Sequence, residues 1–346
     1  MITKNLENFK KQFEKELTIF FDTKLQEAEK TGEYPKEMIE VVKEFTLRGG
    51  KRIRPALIYY TYKCFDLKNE ELLFKVGISI ELLQSFLLIH DDIIDDDDLR
   101  RNMPTVHKIY EGKYGKFYGK NLAILAGDMA VLLAEESILS LDIDSNKKIE
   151  ILKILNETIQ KVVYGQELDI LSTKNEVISK DSLFKIHNLK TSKYTFEGPT
   201  LVGAVFGNAN GRDIEILKEY SYKMGIAFQL QDDILGLFGD EKKLGKPIGS
   251  DLKEGKKTLL ILKALECSCS NDKKIIDRLI GKKDIQKHEI DLVRDIVKES
   301  GSLDYSQKII SEFISESKNL IEKSDFKNEG KDFLLGLCDY LKEREN

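Results

Sequence analysis

The hydrophobic positions of this chain recur every three to four residues along most of its length, and alternating strand-like patterns are scarce. That period is typical of amphipathic helices, so the pattern predicts an all-α fold. The first helix is expected over residues 3–30, with an apolar stripe formed by Leu6, Phe9, Phe13, Leu17 and Phe20. Further helices are expected from about 36 to the glycine pair at 49–50, over 72–95, 105–114, 121–141 and 147–171, from Lys190, and from 258 onward.

One of these apolar stretches ends in an unusually acidic segment, in which six aspartates fall within the eight residues 91–98. Asp91 and Asp95 are four residues apart, and Asp92 and Asp95 are three apart, so on a helix their carboxylates are neighbours. Such carboxylates repel one another unless cations lie between them, and Mg²⁺ is a hard ion that prefers oxygen ligands. An acidic, solvated helix end is the alternative interpretation.

A second acidic pattern interrupts the apolar segment 225–236. Gln229, Asp232 and Asp233 stand at positions i, i+3 and i+4, so a helix presents them on one face. Charges at core-like positions cost free energy unless they are paired or bound to metal. Two such faces on separate helices could bind divalent cations together with a diphosphate. Pairing of the two aspartates with nearby lysines is the alternative.

Taken together, these motifs resemble the trans-isoprenyl diphosphate synthases, the polyprenyl synthetase family. The first motif reads DDxxD and is followed by an arginine pair, and the second begins with an aspartate pair. The other matching segments are GGKxxR at 49–54, Lys-Thr at 190–191, Gly-Lys at 245–246 and Gln-x-x-Asp at 166–169. Two positions depart from the family pattern: Gly236 stands where many members have a third aspartate, and Asn102 follows the arginine pair where glycine is usual.

The resemblance implies a large, single-domain helical bundle of the isoprenoid synthase type over residues 1–346. It implies an Mg²⁺-dependent prenyltransferase, with two or three ions, that condenses allylic diphosphates (dimethylallyl, geranyl or farnesyl) with isopentenyl diphosphate. The product is a linear, all-trans isoprenoid diphosphate, made by ionisation, condensation and elimination. The proton is expected to leave to the departing diphosphate, so no dedicated protein base is needed. The family's usual assembly is a homodimer.

The resemblance also implies roles for individual residues. The metal ligands would be Asp91, Asp95 and Asp232, and Asp92 joins the catalytic set. The residues that add positive charge to the allylic diphosphate would be Arg100, Lys190 and Lys246. Isopentenyl diphosphate would be held by Lys51, Arg54, Gln84 and Arg101. Further substrate contacts would come from Thr191, Gln229 and Lys256.

Product length is expected to depend on the residues four and five positions before the first aspartate, Leu87 and Phe86. A ring at the fifth position with an aliphatic side chain at the fourth resembles the geranylgeranyl type. Five residues turn a helix by about 140° relative to full turns, so Phe86 is not on the Asp91 face and a plain core role is the alternative. We therefore expect geranylgeranyl diphosphate, with farnesyl diphosphate second.

Composition limits the other possibilities. The chain of 346 residues has a net charge of -5, which does not favour a nucleic-acid surface. Its four cysteines form no disulfide framework or zinc spacing, so a cytoplasmic location is expected. No uncharged apolar run of 18 residues is found, so no membrane span is expected.

Two other function classes compete with this interpretation. A non-catalytic regulatory subunit of the same fold should have lost a metal-binding aspartate or a phosphate-binding base, and this sequence retains them. A head-to-head synthase or terpene cyclase is disfavoured by the GGKxxR turn and by the spacing from Asp91 to Arg101.

Three further features carry separate predictions. Residues 238–257 are rich in glycine and lysine and are expected to form a flexible loop that could fold over a charged substrate, a surface connection being the alternative. His90 is expected to be structural, because Mg²⁺ prefers oxygen ligands. Asp128, a polar residue within an apolar run, is expected to be structural as well.

Overall fold

The computed structural model describes residues 2–65, 70–173, 178–239 and 248–343, and helices make up most of this part of the chain. The all-α prediction is therefore confirmed. The helices are α1 Ile2–Thr31, α2 Glu33–Leu47, α3 Ile53–Tyr62, α4 Glu70–Ile94, α5 Val106–Tyr114, α6 Lys116–Leu139, α7 Ser145–Ser172, α8 Lys180–His187, a π-helix Asn188–Glu197, α9 Gly198–Phe206, α10 Gly211–Phe238, α11 Ser250–Glu254, α12 Leu259–Cys267, α13 Ser270–Leu279, α14 Lys287–Glu299, α15 Ser302–Glu322 and α16 Asn328–Lys342.

Internal contacts group the chain into two compact units. The first unit comprises Met1–Leu155, Leu201–Ala209 and Lys327–Phe333, and the second comprises Asn156–Thr200, Asn210–Phe326 and Leu334–Asn346. Each unit has its own buried apolar side chains. The single domain expected over 1–346 stays a prediction.

In the first unit, α1 packs on α2, α3 and α4 through an apolar stripe. The buried members of the stripe are Leu6, Phe9, Phe13, Leu17 and Phe21. The prediction of Phe20 as the last member is wrong, since Phe20 is only half-buried. The stripe continues from Leu17 by four residues rather than three, because a step of four keeps it on the buried face of α1.

Helix α4 is the central apolar helix of the first unit and packs most extensively against α6. By length and hydropathy alone α4 could cross a membrane, but 67% of its most apolar window is buried inside the protein. A buried core helix passes the same test, so this is weak evidence for a membrane span. The face of α6 that is buried carries small residues, namely Gly119, Ala123, Ala126, Gly127, Ala130 and Ala134.

The turn before α3 is fixed by a buried arginine. Arg52 has a φ of 52°, in the left-handed region that is costly for a side chain other than glycine. Its Nε donates to Oε1 of Glu14 at 3.0 Å, and its Nη1 donates to the buried carboxylate of Glu81. This inward anchor leaves the preceding Lys51 exposed.

In the second unit, α10 packs against the π-helix and α15. A methyl group on Gly225 of α10 would come within 2.3 Å of Cα of Ser192 in the π-helix, so the glycine permits the close approach. The π-helix ends at Glu197, and the chain continues as an α-helix from Gly198.

The segment predicted as a loop over 238–257 is only partly described. Residues 240–247 lie outside the described residues, and the loop prediction is wrong for 250–254, which form α11. Gly249 and Gly255 flank this helix with φ of 78° and 80°. Glycines in the left-handed region end helices readily, so they frame a short helix where the sequence pattern indicated flexibility.

The Arg52 anchor generates a stability prediction. Arg52→Ala should lower the free energy of unfolding by about 3–5 kcal/mol, because it leaves the buried Glu81 carboxylate without its cation. Urea denaturation followed by circular dichroism measures this change. Lys51→Ala, one residue away on the exposed side, is the matched control and should lie within about 0.5 kcal/mol of the wild type. Equal urea midpoints for Arg52→Ala and Lys51→Ala would contradict the anchor.

Candidate active site

The first acidic motif lies at the C-terminal end of α4, where the helix dipole already presents negative charge. Asp92 is fully buried there. Its Oδ1 accepts a hydrogen bond from Nε of Arg100 at 2.5 Å, whereas its Oδ2 has no hydrogen-bond partner among the described residues. Burial raises the pKa of Asp92 to about 6, although Arg100 opposes the shift. The carboxylate therefore has unused capacity for a cation.

The remaining aspartates of the motif separate into two groups. Asp96 pairs with Lys120 at 2.9 Å and Asp98 pairs with Lys108 at 3.0 Å, so lysines take up these two carboxylates. Nη2 of Arg100 lies 3.9 Å from Oδ2 of Asp91, which is one helical turn before Asp95. Asp96 and Asp98, which are not among the predicted metal ligands, thus form ion pairs with lysines.

The arginine pair stands on a tight hairpin. Its strands, Leu99–Arg100 and Met103–Pro104, pair in antiparallel register, and the two turn residues, Arg101 and Asn102, have φ of 55° and 61°. Two-residue hairpin turns require such left-handed values, which asparagine tolerates better than most residues. The departure at Asn102 from the family's glycine is therefore compatible with the turn.

The two arginines of the hairpin contact different groups. Arg100 contacts the carboxylates of α4, whereas Nη1 of Arg101 donates to the carbonyl oxygen of Gly49 at 2.5 Å. The guanidinium also lies against Gly50, where a Cβ would come within 3.1 Å of Nη2 and where φ is 115°. Glycine at position 50 thus permits the GGK turn and the arginine to meet.

Arg101 lines a small pocket together with Gln84, Glu81 and Arg100. Burial lowers the pKa of Arg101, and the neighbouring cations Arg52, Arg100 and Arg54 act in the same direction. Crowded, partly desolvated guanidinium groups favour an anion between them. Gln84 and Arg101 thus line one pocket, and Arg54 lies near enough to Arg101 for its charge to lower that pKa. Their role in binding a diphosphate stays a prediction.

The second acidic motif lies on α10 in the second unit. Oδ1 of the buried Asp233 accepts a hydrogen bond from Nε2 of Gln229 at 2.9 Å, and Oε1 of Gln229 accepts one from Oγ1 of Thr191 at 2.7 Å. Oδ2 of Asp233 has no hydrogen-bond partner among the described residues. Burial raises the pKa of Asp233 well above its usual range, and the charges of Asp251 and Asp232 add to the shift.

Two lysines face this second motif. Nζ of Lys190 donates to Oδ2 of Asp169 at 2.8 Å and, against the effect of burial, lowers the pKa of that carboxyl. Lys256 pairs with Glu254 and lies 4.0 Å from Oδ1 of Asp251. Although burial opposes it, these carboxylates raise the pKa of Lys256, so the lysine stays charged.

One pocket of the second unit collects most of the predicted residues of this half of the sequence. Its lining includes Asp169, Lys190, Thr191, Gln229, Asp233, Asp251 and Lys256. Asp232 lies on the same helix, half-buried. The predicted Lys246 falls outside the described residues.

One residue of this pocket, His187, was missed by sequence reasoning. His187 is buried, its Nε2 lies 3.7 Å from Oδ2 of Asp233, and burial lowers its pKa to about 4. Its spacing of three residues before Lys190 could have indicated it. Gly236, named above as a departure from the family pattern, lies close to the pocket residue Asp251, because a Cβ there would come within 2.9 Å of Oδ2 of Asp251. The glycine that replaces the family's third aspartate thus admits a carboxylate from α11.

Comparisons with known proteins agree with this geometry. Residues 35–297 match the family model described as polyprenyl synthetase. The chain belongs to the polyprenyl synthetase family.

Individual relatives point the same way. A short chain isoprenyl diphosphate synthase of Methanocaldococcus jannaschii is 39% identical over 258 residues, 75% of each chain. A geranylgeranyl diphosphate synthase of Sulfolobus acidocaldarius is 35% identical over 84% of each chain. Among solved structures, a geranylgeranyl pyrophosphate synthase from Corynebacterium glutamicum, complexed with isoprenyl diphosphate and magnesium, has a TM-score of 0.91 at 29% identity and full coverage of both chains.

Membership of the polyprenyl synthetase family confirms the predicted family and enzyme class: the chain is an isoprenyl diphosphate synthase, a prenyltransferase. The roles assigned to single residues stay predictions.

The contact between Gly236 and Asp251 generates a prediction. Gly236→Ala should lower prenyl-transfer activity by about 10-fold or more, because the new methyl group displaces a carboxylate of the pocket and small misplacements are costly in catalysis. Steady-state turnover measures the loss. The control is Gly211→Ala, at the start of the same helix, where a Cβ meets nothing within 4 Å. Full activity in Gly236→Ala would show that the position of the Asp251 carboxylate does not matter.

Proposed function

We propose that the protein elongates allylic diphosphates with isopentenyl diphosphate and releases geranylgeranyl diphosphate as its main product. One observation carries the proposal: the hairpin at residues 99–104 directs Arg100 to the carboxylates of α4 and Arg101 to the basic pocket beside the GGK turn. Adjacent sites for a metal-bound diphosphate and for a second diphosphate are what a condensation of two diphosphate substrates needs.

Magnesium fits the donor chemistry of both acidic motifs. No group of three or more His, Cys, Asp or Glu side chains could hold a metal ion among residues 2–65, 70–173, 178–239 and 248–343. Mg²⁺ usually takes only one or two carboxylates and completes its shell with water and substrate phosphates. The buried oxygens Oδ2 of Asp92 and Oδ2 of Asp233, which lack hydrogen-bond partners in this part of the chain, support a requirement for a cation near each motif.

In this proposal Asp91, Asp95 and Asp232 hold magnesium, with two or three ions expected from the resemblance. When bound, the metal would neutralise the charge of the leaving diphosphate. Arg100 and Lys190 would stabilise the same group as its bond to the allylic carbon breaks.

The second substrate would be held by Lys51, Arg54, Gln84 and Arg101. Held there, isopentenyl diphosphate would present its double bond to the allylic cation, and a carbon–carbon bond would form. The departing diphosphate would then accept the proton that leaves in the elimination. Near the second motif, His187 is neutral near pH 7, because burial lowers its pKa to about 4. The neutral imidazole therefore places no positive charge beside Asp233 that would compete with a metal ion.

The proposed product length rests on Phe86 and Leu87, both half-buried on α4. The ring of Phe86 would close the pocket for the growing chain after the twenty-carbon stage. Farnesyl diphosphate is the second candidate product.

We also propose that the protein is a homodimer in the cytoplasm. Tyr118, Leu125, Leu132 and Leu139 stand seven residues apart on α6, and each is more than half exposed. Seven residues complete almost two helical turns, so these side chains form one apolar face. Monomers rarely expose large apolar patches, which supports a second copy as the cover of this face.

The function is tested by incubating the purified protein with Mg²⁺, dimethylallyl diphosphate and isopentenyl diphosphate. Diphosphate should be released only when both substrates are present, and chromatography of the dephosphorylated products should give geranylgeraniol. Release from the allylic substrate alone would favour a cyclase. No release at all would favour the non-catalytic subunit.

In the same assay, Asp91→Ala and Asp232→Ala should each lower turnover by at least ~10²-fold, as the loss of a preorganised electrostatic group does. Circular dichroism should show an intact fold in both variants. Asp98→Ala is the matched control, because its carboxylate pairs with Lys108. Near-normal turnover of either test variant at saturating Mg²⁺ would overturn the metal assignment.

The two diphosphate sites predict different kinetic effects. Lys51→Ala and Arg54→Ala should chiefly raise KM for isopentenyl diphosphate, because they remove binding charge from the second substrate. Lys190→Ala should instead act on the allylic substrate or on kcat. If Lys51→Ala impaired only the use of the allylic substrate, the assignment of the two diphosphate sites would be reversed.

The product-length assignment predicts that Phe86→Ala yields products at least one five-carbon unit longer, because the pocket floor recedes by a ring. Chromatography of the dephosphorylated products measures the length. Phe117→Ala removes the same ring from a position that is 74% exposed and should leave the length unchanged. If Phe86→Ala gave unchanged products, the floor of the product pocket would have to be assigned to Leu83, Leu87 or another helix.

A further inference from the structure

His90, the residue before the first aspartate pair, fits into a notch in the neighbouring helix. The notch is made by Gly127 of α6, where a Cβ would come within 2.3 Å of Nε2 and 2.5 Å of Cδ2 of the His90 ring. No side chain larger than glycine fits at position 127 while the imidazole stays where it is. The two residues therefore form a matched pair across the α4–α6 contact.

The ring of His90 is also held by a directed interaction. Its Nε2 lies 3.1 Å from the carbonyl oxygen of Ile124, which can only accept, so Nε2 carries the hydrogen and donates it. The carboxylate of Asp128 lies 3.7 Å from the same nitrogen. A hydrogen bond to the α6 backbone and the close fit over Gly127 together fix the ring in one orientation.

The other side of the imidazole meets Phe86. The two ring centroids are 4.9 Å apart with an interplanar angle of 74°, which is the edge-to-face geometry that aromatic pairs favour. His90 is one helical turn after Phe86 on α4, so the fixed imidazole packs against the phenyl ring. Phe86 has a rigid neighbour that limits where its ring can turn.

We propose that His90 is a positioning residue for product length: seated over Gly127 and bonded to Ile124, it holds the Phe86 ring at the floor of the product pocket. The inference rests on the proposed function and goes beyond it, because it adds a residue that touches neither diphosphate. Without the imidazole, the phenyl ring can turn into the vacated space, the floor becomes deeper, and chain growth stops later.

Two substitutions disturb the contact between His90 and Gly127, one at each residue. His90→Ala removes the imidazole, and Gly127→Ala forces it out of the notch. Each should raise the share of products longer than the main wild-type product by about 3- to 10-fold, the factor by which one aromatic contact shifts a side-chain equilibrium. A thermal unfolding curve of each variant keeps the comparison to folded protein.

The double variant His90→Ala/Gly127→Ala supplies the decisive comparison. With no imidazole to displace, the methyl group on residue 127 has room. In the His90→Ala background, Gly127→Ala should therefore change the share of longer products by less than about 2-fold. Gly112→Ala on α5, where a Cβ meets nothing within 4 Å, should keep the wild-type product distribution.

Several results would overturn the inference. A wild-type product distribution in either folded single variant would do so, as would an undiminished effect of Gly127→Ala in the His90→Ala background. If His90→Ala does not fold, the distribution of Gly127→Ala alone decides. A wild-type protein that forms no prenyl product would instead refute the proposed function, on which the inference depends.

Discussion

Too little positive charge around buried carboxylates is the constraint that shapes both acidic motifs. At the end of α4, Arg100 is shared by Asp92, Asp91 and Asp97, at distances from direct contact out to 3.9 Å. On α10, the buried Asp233 has a hydrogen bond from Gln229 but no ion pair within 3.5 Å in the described chain, since the nearest nitrogen of His187 is 3.7 Å away. Buried carboxylates left in this state cost stability, which a bound cation would recover.

Two turns carry arginines in strained backbone conformations. Arg101 and Arg52 both occupy left-handed backbone conformations that are costly for their residue type. Arg52 gains the buried carboxylate of Glu81, and Arg101 reaches the backbone of the GGK turn. Local strain is thus offset by ion pairing or hydrogen bonding, and the arrangement orients Arg52 toward a carboxylate and Arg101 toward a backbone carbonyl oxygen.

The sequence predicted the elements whose signals are local. The helical period predicted the fold class correctly, and both acidic motifs were correctly placed on helices, the first at the end of α4 and the second within α10. Features that depend on partners distant in sequence were not accessible in this way. Phe21 rather than Phe20 completes the stripe because packing against the neighbouring helices decides which face of α1 is buried. The need for glycine at position 236 becomes visible only once Asp251 is placed beside it. His187 carries no motif of its own, and its lowered pKa follows from burial first and from the charge of Lys190 second.

The central claim is that each acidic motif needs a cation to bind an allylic diphosphate. Thermal unfolding with Mg²⁺ and a non-hydrolysable allylic thiolodiphosphate tests it most directly. At about 100 times Kd, binding should stabilise the protein by about 2.7 kcal/mol, only when metal and analogue are both present, and Asp91→Asn or Asp232→Asn should abolish the rise in Tm. An equal rise in Tm without metal, or an unchanged response in either variant, would contradict the account.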